Sequence, residues 1–296
     1  MKWKVLAVLF FSLYYSVGIA QQAPTNIITT LPFLTSLVRA LTSAIPNVTV
    51  ISLVQVEQDE HLSSLTPRQS LSVLHSSLIV FLDKNSQSAL HQKIHSVAPA
   101  VTRVVLCEIV TCNWIADINK NPDIHLWQDL EQAVPLVSGL EATLLTIFPD
   151  HSQKIKQNAS QYISTLRTAT KKIQNLLVSY KHRAWVTPTG GWKYFARSAG
   201  LTDPISLLTH SYHHEAPSAE ALLRFQRRVT AERAYCLISD SAVPPPWLER
   251  TIKKLPIQYI VAQPIGIRAR KYGEANSYPE DLITLAEELA RCFSNS

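Results

Sequence analysis

The sequence predicts an α/β protein with two lobes, each built on a central, mostly parallel sheet flanked by helices, and one long helix that joins them. Strand-like apolar segments alternate with amphipathic helical segments in both halves of the chain. This alternation is typical of parallel sheets covered by helices. Between the two alternating regions, residues 150–187 contain neither proline nor glycine. An uninterrupted connecting helix is therefore expected there.

The segment from Asp150 to Lys181 is the candidate for this connecting helix. Its apolar side chains recur at steps of three and four residues, which places them on one helical face. They are Ile155, Ala159, Tyr162, Ile163, Leu166, Ala169, Ile173, Leu177 and Tyr180. A helix of this length would span about 48 Å, more than the width of a small domain. A coiled coil or a bundle helix is the alternative, but no heptad array flanks the segment. We therefore predict a linking helix over 150–182, an N-terminal lobe over 24–149 and a C-terminal lobe over 183–296.

Residues 1–20 are predicted to be a cleaved secretory signal rather than part of the fold. Lys2 and Lys4 precede an apolar run from Val5 to Tyr15, and Gly18-Ile19-Ala20 provides small residues for cleavage. The run is shorter than the roughly 20 residues that a membrane-spanning helix needs. The mature chain is therefore expected to be soluble and exported.

The N-terminal lobe is predicted to open with a β-α-β unit and to continue the same alternation. Its predicted strands are Asn26–Thr30, Val48–Val54, Ser77–Leu82 and Arg103–Ile109. Its predicted helices are Pro32–Ser43, Pro67–His75, Ser86–Val97 and Gln128–Phe148. A polar loop over 55–65 follows the second strand, and a loop rich in Asn, Asp and Trp precedes the last helix.

The alternation restarts in the C-terminal lobe. Its predicted strands are Arg183–Thr187, Pro204–Leu208, Ala234–Ser239 and Gln258–Ala262. Its predicted helices are Gly190–Ser198, Ser218–Glu232, Pro246–Lys254 and Tyr278–Phe293. Ligands of open parallel sheets bind beyond the carboxyl ends of the strands, so the loops after the strands are the places to look for function. Two such lobes facing each other would form a cleft.

The charge distribution argues against nucleic-acid binding. The whole chain carries a formal net charge of +6, which becomes +4 when Lys2 and Lys4 leave with the signal. Lysine and arginine are scattered and adjacent only in pairs, whereas a nucleic-acid site needs a clustered basic face. These side chains are interpreted as solvated surface.

The four cysteines are an even number in a compartment that permits disulfides. Cys107 and Cys112 lie in one segment, whereas Cys236 ends a predicted strand and Cys292 lies on the last helix. Pairing within each set is the simplest arrangement. A zinc site made of all four thiolates is the alternative, but the short C-x-x-C spacing of such sites is missing.

Two histidines lie on loops at the same predicted edge of the first sheet. His61 follows Gln58-Asp59-Glu60, and His125 lies within Asn121-Pro122-Asp123-Ile124-His125-Leu126-Trp127. A single histidine is more often a surface or core group than a ligand. Their shared placement favours a functional role.

The order and spacing of several short motifs resemble those of the periplasmic metal-binding receptors of ABC importers for zinc or manganese. The resemblance covers most of the mature chain. The motifs are Ile28-Thr29-Thr30-Leu31-Pro32-Phe33, Asp59-Glu60-His61 with Thr66-Pro67, Asn121 to Trp127, Asn158-Ala159-Ser160-Gln161-Tyr162, Gly191 to Leu201, Glu215-Ala216-Pro217-Ser218 and Gln263-Pro264-Ile265-Gly266. The resemblance implies metal ligands at His61 and His125. It also implies a disulfide between Cys236 and Cys292, since zinc-specific members tie a strand of the second lobe to the final helix.

Two ligand positions depart from the pattern of this family. The third histidine of the family corresponds here to Thr189, and its acidic fourth ligand corresponds to Gln263. Zinc prefers imidazole, thiolate and carboxylate ligands, so a hydroxyl and an amide are poor replacements. Candidate replacement ligands are Asp59, Asp240, Glu215, His210, His213 and His214. The cluster from His210 to Glu215 is interpreted as a solvated surface loop in preference to a ligand set.

Three interpretations remain open at this point. The chain binds a divalent metal with a remodelled site; or its cleft binds another small solute or a metal chelate, with Thr189 and Gln263 as hydrogen-bond partners; or it acts as an interaction module without metal. An enzyme is not expected. Two histidines and an acid could activate water on a metal, but the chain has no nucleophile elbow, phosphate loop or H-E-x-x-H helix.

We therefore expect, by resemblance, a periplasmic receptor that captures Zn²⁺, with Mn²⁺ as the alternative, and delivers it to an ABC permease in the inner membrane. A monomer is expected. The linking helix should restrict the lobes to small relative movements.

Overall fold

Two four-stranded parallel sheets form the framework of the protein. The computed structural model describes residues 25–53, 64–85, 87–116, 122–188, 191–207, 217–239, 244–261 and 277–295. In both sheets the strands lie side by side in the order second, first, third, fourth, counted along the chain. In each sheet the second strand lies on one side of the first strand and the third strand lies on the other side. Each sheet therefore has a switch point of the kind where ligands bind. The expected two-lobe α/β fold is confirmed.

The first lobe contains four strands and five helices among the residues described. The strands are β1 (Thr25–Thr29), β2 (Val48–Ser52), β3 (Leu78–Phe81) and β4 (Thr102–Val105). The helices are α1 (Pro32–Leu41), α2 (Pro67–Leu74), α3 (Ser88–Val97), α4 (Leu106–Ile109) and α5 (Leu130–Ile147). Every residue of β3 is buried, as expected for a central strand covered on both faces. Thr66 and Gln69 form a capping box that starts α2.

The second lobe repeats this plan. Its strands are β5 (Trp185–Thr187), β6 (Ile205–Ser206), β7 (Cys236–Ser239) and β8 (Gln258–Val261). Its helices are α7 (Lys193–Ala199), α8 (Ala219–Ala231), α9 (Pro246–Ile252) and α10 (Ser277–Ser294). The Ser218 side chain accepts a hydrogen bond from the Ala221 N–H and thereby caps the start of α8.

Helix α6 (Ser152–Leu177) joins the lobes, with 3₁₀ turns at Pro149–His151 and Val178–Tyr180. The predicted apolar stripe is confirmed, because its members from Ile155 to Leu177 are buried, apart from the partly buried Ile163. Polar contacts reach both lobes. The Asn158 amide donates to the carbonyls of Leu41 and Ser43 at 3.0 Å each, and the Gln174 amide donates to the Ser198 carbonyl at 3.0 Å.

One hydrophobic core runs through both lobes around α6. It includes Ile27 and Val80 from the first sheet, Cys236 and Ile238 from the second, and the stripe of α6. Two smaller clusters cover the outer faces of the sheets. Leu90 and Ile94 of α3 cover the first sheet, and Phe225 and Val229 of α8 cover the second. The lobes therefore share one hydrophobic core and are not merely connected by a flexible linker.

The prediction of a strand over Arg103–Ile109 is wrong at its carboxyl end. The strand stops at Val105, and Leu106–Ile109 form a short helical turn. The Val110 N–H bonds the Leu106 carbonyl, and the Cys107 N–H bonds the Leu82 carbonyl. The chain has to turn here because Cys107 and Cys112 are joined, with their α-carbons 5.4 Å apart.

The cysteines form two disulfides, Cys107–Cys112 and Cys236–Cys292. The simple pairing is confirmed, and a site of four thiolates is excluded. The second bond joins β7 to α10, as the family resemblance implied.

The signal prediction for residues 1–20 lies outside the described residues. Within the described part of the chain, no helix has the length and apolar character needed to cross a membrane.

Candidate metal centre

His125 lies at the start of a 3₁₀ turn, Leu126–Gln128, that leads into α5. Leu126 and Trp127 are buried and anchor this turn. The Trp127 ring stacks on Phe33 with centroids 5.5 Å apart. The backbone carbonyl of Trp127 accepts a hydrogen bond from the Tyr278 hydroxyl. The loop that carries His125 is therefore held by the core, although the His125 side chain keeps 12% of its surface exposed.

Asp123 holds the imidazole of His125. One carboxylate oxygen of Asp123 lies 2.6 Å from His125 Nδ1 and accepts the backbone N–H of His125 at 3.0 Å. A carboxylate partner favours the tautomer with the proton on Nδ1, so the lone pair of the ring is on Nε2. This carboxylate–histidine pairing is common among metal-binding histidines because it fixes the ring and raises its basicity.

The second lobe contacts His125 directly through Gly191. A β-carbon placed on Gly191 would lie 3.0 Å from Cε1 and from Nδ1 of the imidazole. Gly191 immediately precedes the turn into α7, and Thr189 is two residues earlier in the sequence. The backbone of the C-terminal lobe thus packs against the candidate ligand of the N-terminal lobe.

Tyr194 of α7 connects the two lobes beside His125. Its hydroxyl accepts the Ile115 N–H at 2.7 Å and donates to the Asp123 carbonyl at 2.9 Å. Burial raises the pKa of Tyr194 to about 12, so the hydroxyl keeps its proton at physiological pH. A second contact lies nearby, where Arg197 of α7 pairs with Asp129 at 3.0 Å.

The remaining candidate ligands lie outside the described residues. They are His61, Asp59, Thr189, Gln263, Asp240, Glu215, His210, His213 and His214. Among the residues that are described, no three His, Cys, Asp or Glu side chains come together as a metal site. Several of these candidates still follow strand ends in the sequence. Thr189, Asp240 and Gln263 come within two residues of the ends of β5, β7 and β8.

Asp123, Gly191 and Tyr194 were quoted above only as parts of motifs and were not predicted to act at the site. A carboxylate two residues before a candidate histidine is a signal that sequence reasoning could have used for Asp123. Nothing in the local sequence points from Tyr194 to Asp123.

Residues 27–292 match the family described as ZnuA, the periplasmic component A of a zinc-uptake complex. The chain belongs to the ZnuA family. The match covers nearly the whole chain, and the expected relationship to periplasmic metal receptors is confirmed. The family is described as a transport component rather than an enzyme, in agreement with the expectation that the chain is not a catalyst.

Similarity to individual ZnuA proteins is low but consistent. The high-affinity zinc uptake system protein ZnuA of Brucella suis is 22% identical over 172 residues, which are 58% of this chain and 50% of that protein. The chain therefore matches about half the length of this curated relative. The sequence similarity supports family membership.

Solved structures show the same fold. A crystal structure of ZnuA has a TM-score of 0.79 at 14% identity and covers 91% of this chain and 99% of its own. The Mn-bound periplasmic metal-binding protein from Candidatus Liberibacter asiaticus has a TM-score of 0.73 at 15% identity and covers 90% of this chain and 98% of its own.

Proposed function

We propose that this ZnuA-family protein is an exported receptor that captures a divalent metal ion, zinc first and manganese as the alternative, in the cleft between its lobes. The observation that carries the proposal is the contact of His125 with Gly191, because it brings a candidate ligand of one lobe against the backbone of the other, two residues in sequence from Thr189. The Asp123 carboxylate on Nδ1 suits a ring that offers Nε2 to a metal.

His61 is the second ligand in this proposal, by resemblance to the family. Thr189 and Gln263 would line the opposite wall, with water or one of Asp59, Asp240, Glu215, His210, His213 and His214 completing the coordination. The metal would then pass to an ABC permease in the inner membrane. The receptor would be periplasmic, released by cleavage of residues 1–20, and monomeric.

Calorimetric titration of metal-stripped mature protein with Zn²⁺ and with Mn²⁺ tests this proposal. One-to-one binding that is lost in His61→Ala and in His125→Ala is the expected result. His182→Ala is the matched control, since His182 is exposed and lies on the turn after α6. Affinity should fall as the pH drops from 7.5 to 5.5, because protons compete with the metal for the imidazoles. Binding that survives in both histidine variants would contradict the proposal.

Thr189 and Gln263 stand where the family has its third and fourth metal ligands, and this replacement favours a second candidate function. A cleft lined by a hydroxyl and an amide suits a metal chelate or a small polar solute, and a chain without any ligand could act as an interaction module. If the wild-type protein binds neither Zn²⁺ nor Mn²⁺, the same calorimetric experiment with zinc citrate and zinc–histidine complexes distinguishes a chelate receptor from a protein that has lost ligand binding.

A further inference from the structure

The loop that carries His125 begins with an incomplete antiparallel pair. The Asp123 N–H donates to the Ile115 carbonyl at 2.8 Å, and the neighbouring residues Ala116 and Pro122 form an antiparallel bridge. In an antiparallel ladder, two residues that are paired in this way normally exchange two backbone hydrogen bonds. The second bond would join the Ile115 N–H to the Asp123 carbonyl.

The hydroxyl of Tyr194 takes the place of this second bond. The Ile115 N–H donates to the hydroxyl at 2.7 Å, and the hydroxyl donates to the Asp123 carbonyl at 2.9 Å. A side chain of the C-terminal lobe is thus inserted into a backbone pair of the N-terminal lobe. Both backbone groups stay satisfied only while α7 keeps its place against the loop.

The position of this hydroxyl is itself fixed by the packing around Tyr194. The Tyr194 side chain is completely buried. The Arg197 guanidinium lies over its ring, 5.2 Å from the centroid, and pairs with Asp129 at the start of α5. The phenol therefore has little freedom to move without moving the helix.

The hydrogen bonds of the Tyr194 hydroxyl form a relay that reaches the candidate ligand His125 through Asp123. The Asp123 N–H is held by Ile115, its carbonyl by Tyr194, and its carboxylate accepts both the backbone N–H and Nδ1 of His125. Displacement of the Asp123 backbone would therefore be transmitted to the imidazole.

We infer that Tyr194 is a positioning residue for metal capture, which sets the orientation of His125 from the opposite lobe through Asp123. This inference rests on the function proposed above. Helix α7 thus contributes to metal binding without providing a ligand, because the hydroxyl of its Tyr194 determines the orientation of His125.

Tyr194→Phe is the test, with zinc affinity measured by competition against a chelator. The ring and its packing stay, whereas both hydrogen bonds of the hydroxyl are lost. Affinity should fall roughly tenfold, the lower end of what loss of a metal ligand's supporting partner costs. Tyr162→Phe is the matched control. It removes another buried phenol hydroxyl, which contacts Ser36 at 3.3 Å and takes no part in the hydrogen bonds between Tyr194 and Asp123, and should leave the affinity unchanged.

A further measurement separates positioning from general destabilisation. In the metal-free protein, the ¹⁵N shifts of the His125 imidazole should change in Tyr194→Phe and stay unchanged in Tyr162→Phe. A structural role alone would lower the unfolding temperature of both variants without moving these shifts.

Wild-type affinity and unchanged His125 shifts in Tyr194→Phe would overturn the inference while leaving the proposed receptor function intact. If the wild-type protein binds neither Zn²⁺ nor Mn²⁺, the receptor function fails, yet the shifts of the metal-free protein still decide whether Tyr194 orients His125.

Discussion

Gly191 lies so close to His125 that a β-carbon at this position would approach the imidazole to 3.0 Å. This separation is shorter than ordinary van der Waals contact, so either the ring or the backbone has to move when a methyl group is added. In the Gly191→Ala variant, we expect the imidazole to be displaced from its place beside Asp123. Zinc affinity should fall roughly tenfold, which competition with a chelating dye would measure.

Gly200→Ala is the control for this prediction. Gly200 follows α7 with φ at +72°, and among the described residues no atom beyond its chain neighbours lies within 4 Å of a β-carbon built there. The left-handed conformation disfavours alanine by about 1 kcal/mol, so this variant should lose stability and keep its affinity. Equal affinities in the two glycine variants would contradict a role of the Gly191 contact in metal binding.

Asp123→Asn tests the carboxylate that holds His125. The amide oxygen can still accept the backbone N–H of His125, but the negative charge beside Nδ1 is lost. Zinc affinity should therefore fall about 10- to 100-fold, with little change in the free energy of unfolding. Asp150→Asn removes a carboxylate from the exposed start of the linking segment and should have no effect on affinity. A zinc affinity of Asp123→Asn as high as that of the wild-type protein would show that Asp123 does not support His125 as a ligand.

The two disulfides should differ in their contribution to stability. Cys236–Cys292 closes a sequence separation of 56 residues, whereas Cys107–Cys112 closes one of 5. From loop entropy, the long-range bond stabilises the protein by about 4 kcal/mol and the short-range bond by about 2 kcal/mol. Urea denaturation of the two double Cys→Ala variants would measure the difference. A larger loss for the Cys107–Cys112 variant would show that strain or packing outweighs chain entropy.

Metal loading should change the overall dimensions of the protein very little. The core around α6 is continuous between the lobes, and the relay through Tyr194 ties them together beside the candidate site. Small-angle X-ray scattering of metal-free and zinc-loaded protein should give radii of gyration that agree within error. A clear decrease on loading would reveal a hinge closure that this packing does not allow.

His91 should make the protein less stable in mild acid. Its ring packs on Phe81 with centroids 5.0 Å apart, and burial, followed by the charge of Arg103, lowers its pKa from the ordinary value of 6.5. The unfolded chain therefore binds a proton more readily than the folded chain, so stability is lost as the pH falls below about 6.5. His91→Gln should show a smaller loss between pH 7 and pH 5 in urea denaturation. An identical pH dependence in both proteins would exclude His91 as a cause.

The features that could be predicted from the sequence are those that depend on the residue pattern of one helix or one strand alone. The apolar stripe of α6 has the helical period along its length, and the buried strand β3 is a continuous apolar run, so both were predicted correctly. The end of β4 was not, because Val104, Val105, Leu106 and Ile109 suit a strand as well as a helical turn. The bond of the Val110 N–H to the Leu106 carbonyl and the nearby disulfide favour the turn.

The site was predicted less completely for a similar reason. His125 belongs to a recognisable motif, but its environment depends on contacts between distant segments. Tyr194 is 71 residues from Asp123, and no periodicity connects them. Gly191 could be recognised as part of a motif, whereas its contact with an imidazole depends on how the lobes pack.

The position of α10 has a consequence for how this chain acquires its structure. Tyr278, at the start of α10, packs against Phe33 and donates a hydrogen bond to the Trp127 carbonyl. The interior of the N-terminal lobe is therefore completed by a residue 151 positions after Trp127. A nascent N-terminal lobe lacks part of its core until the start of α10 has been synthesised, which delays its stable folding.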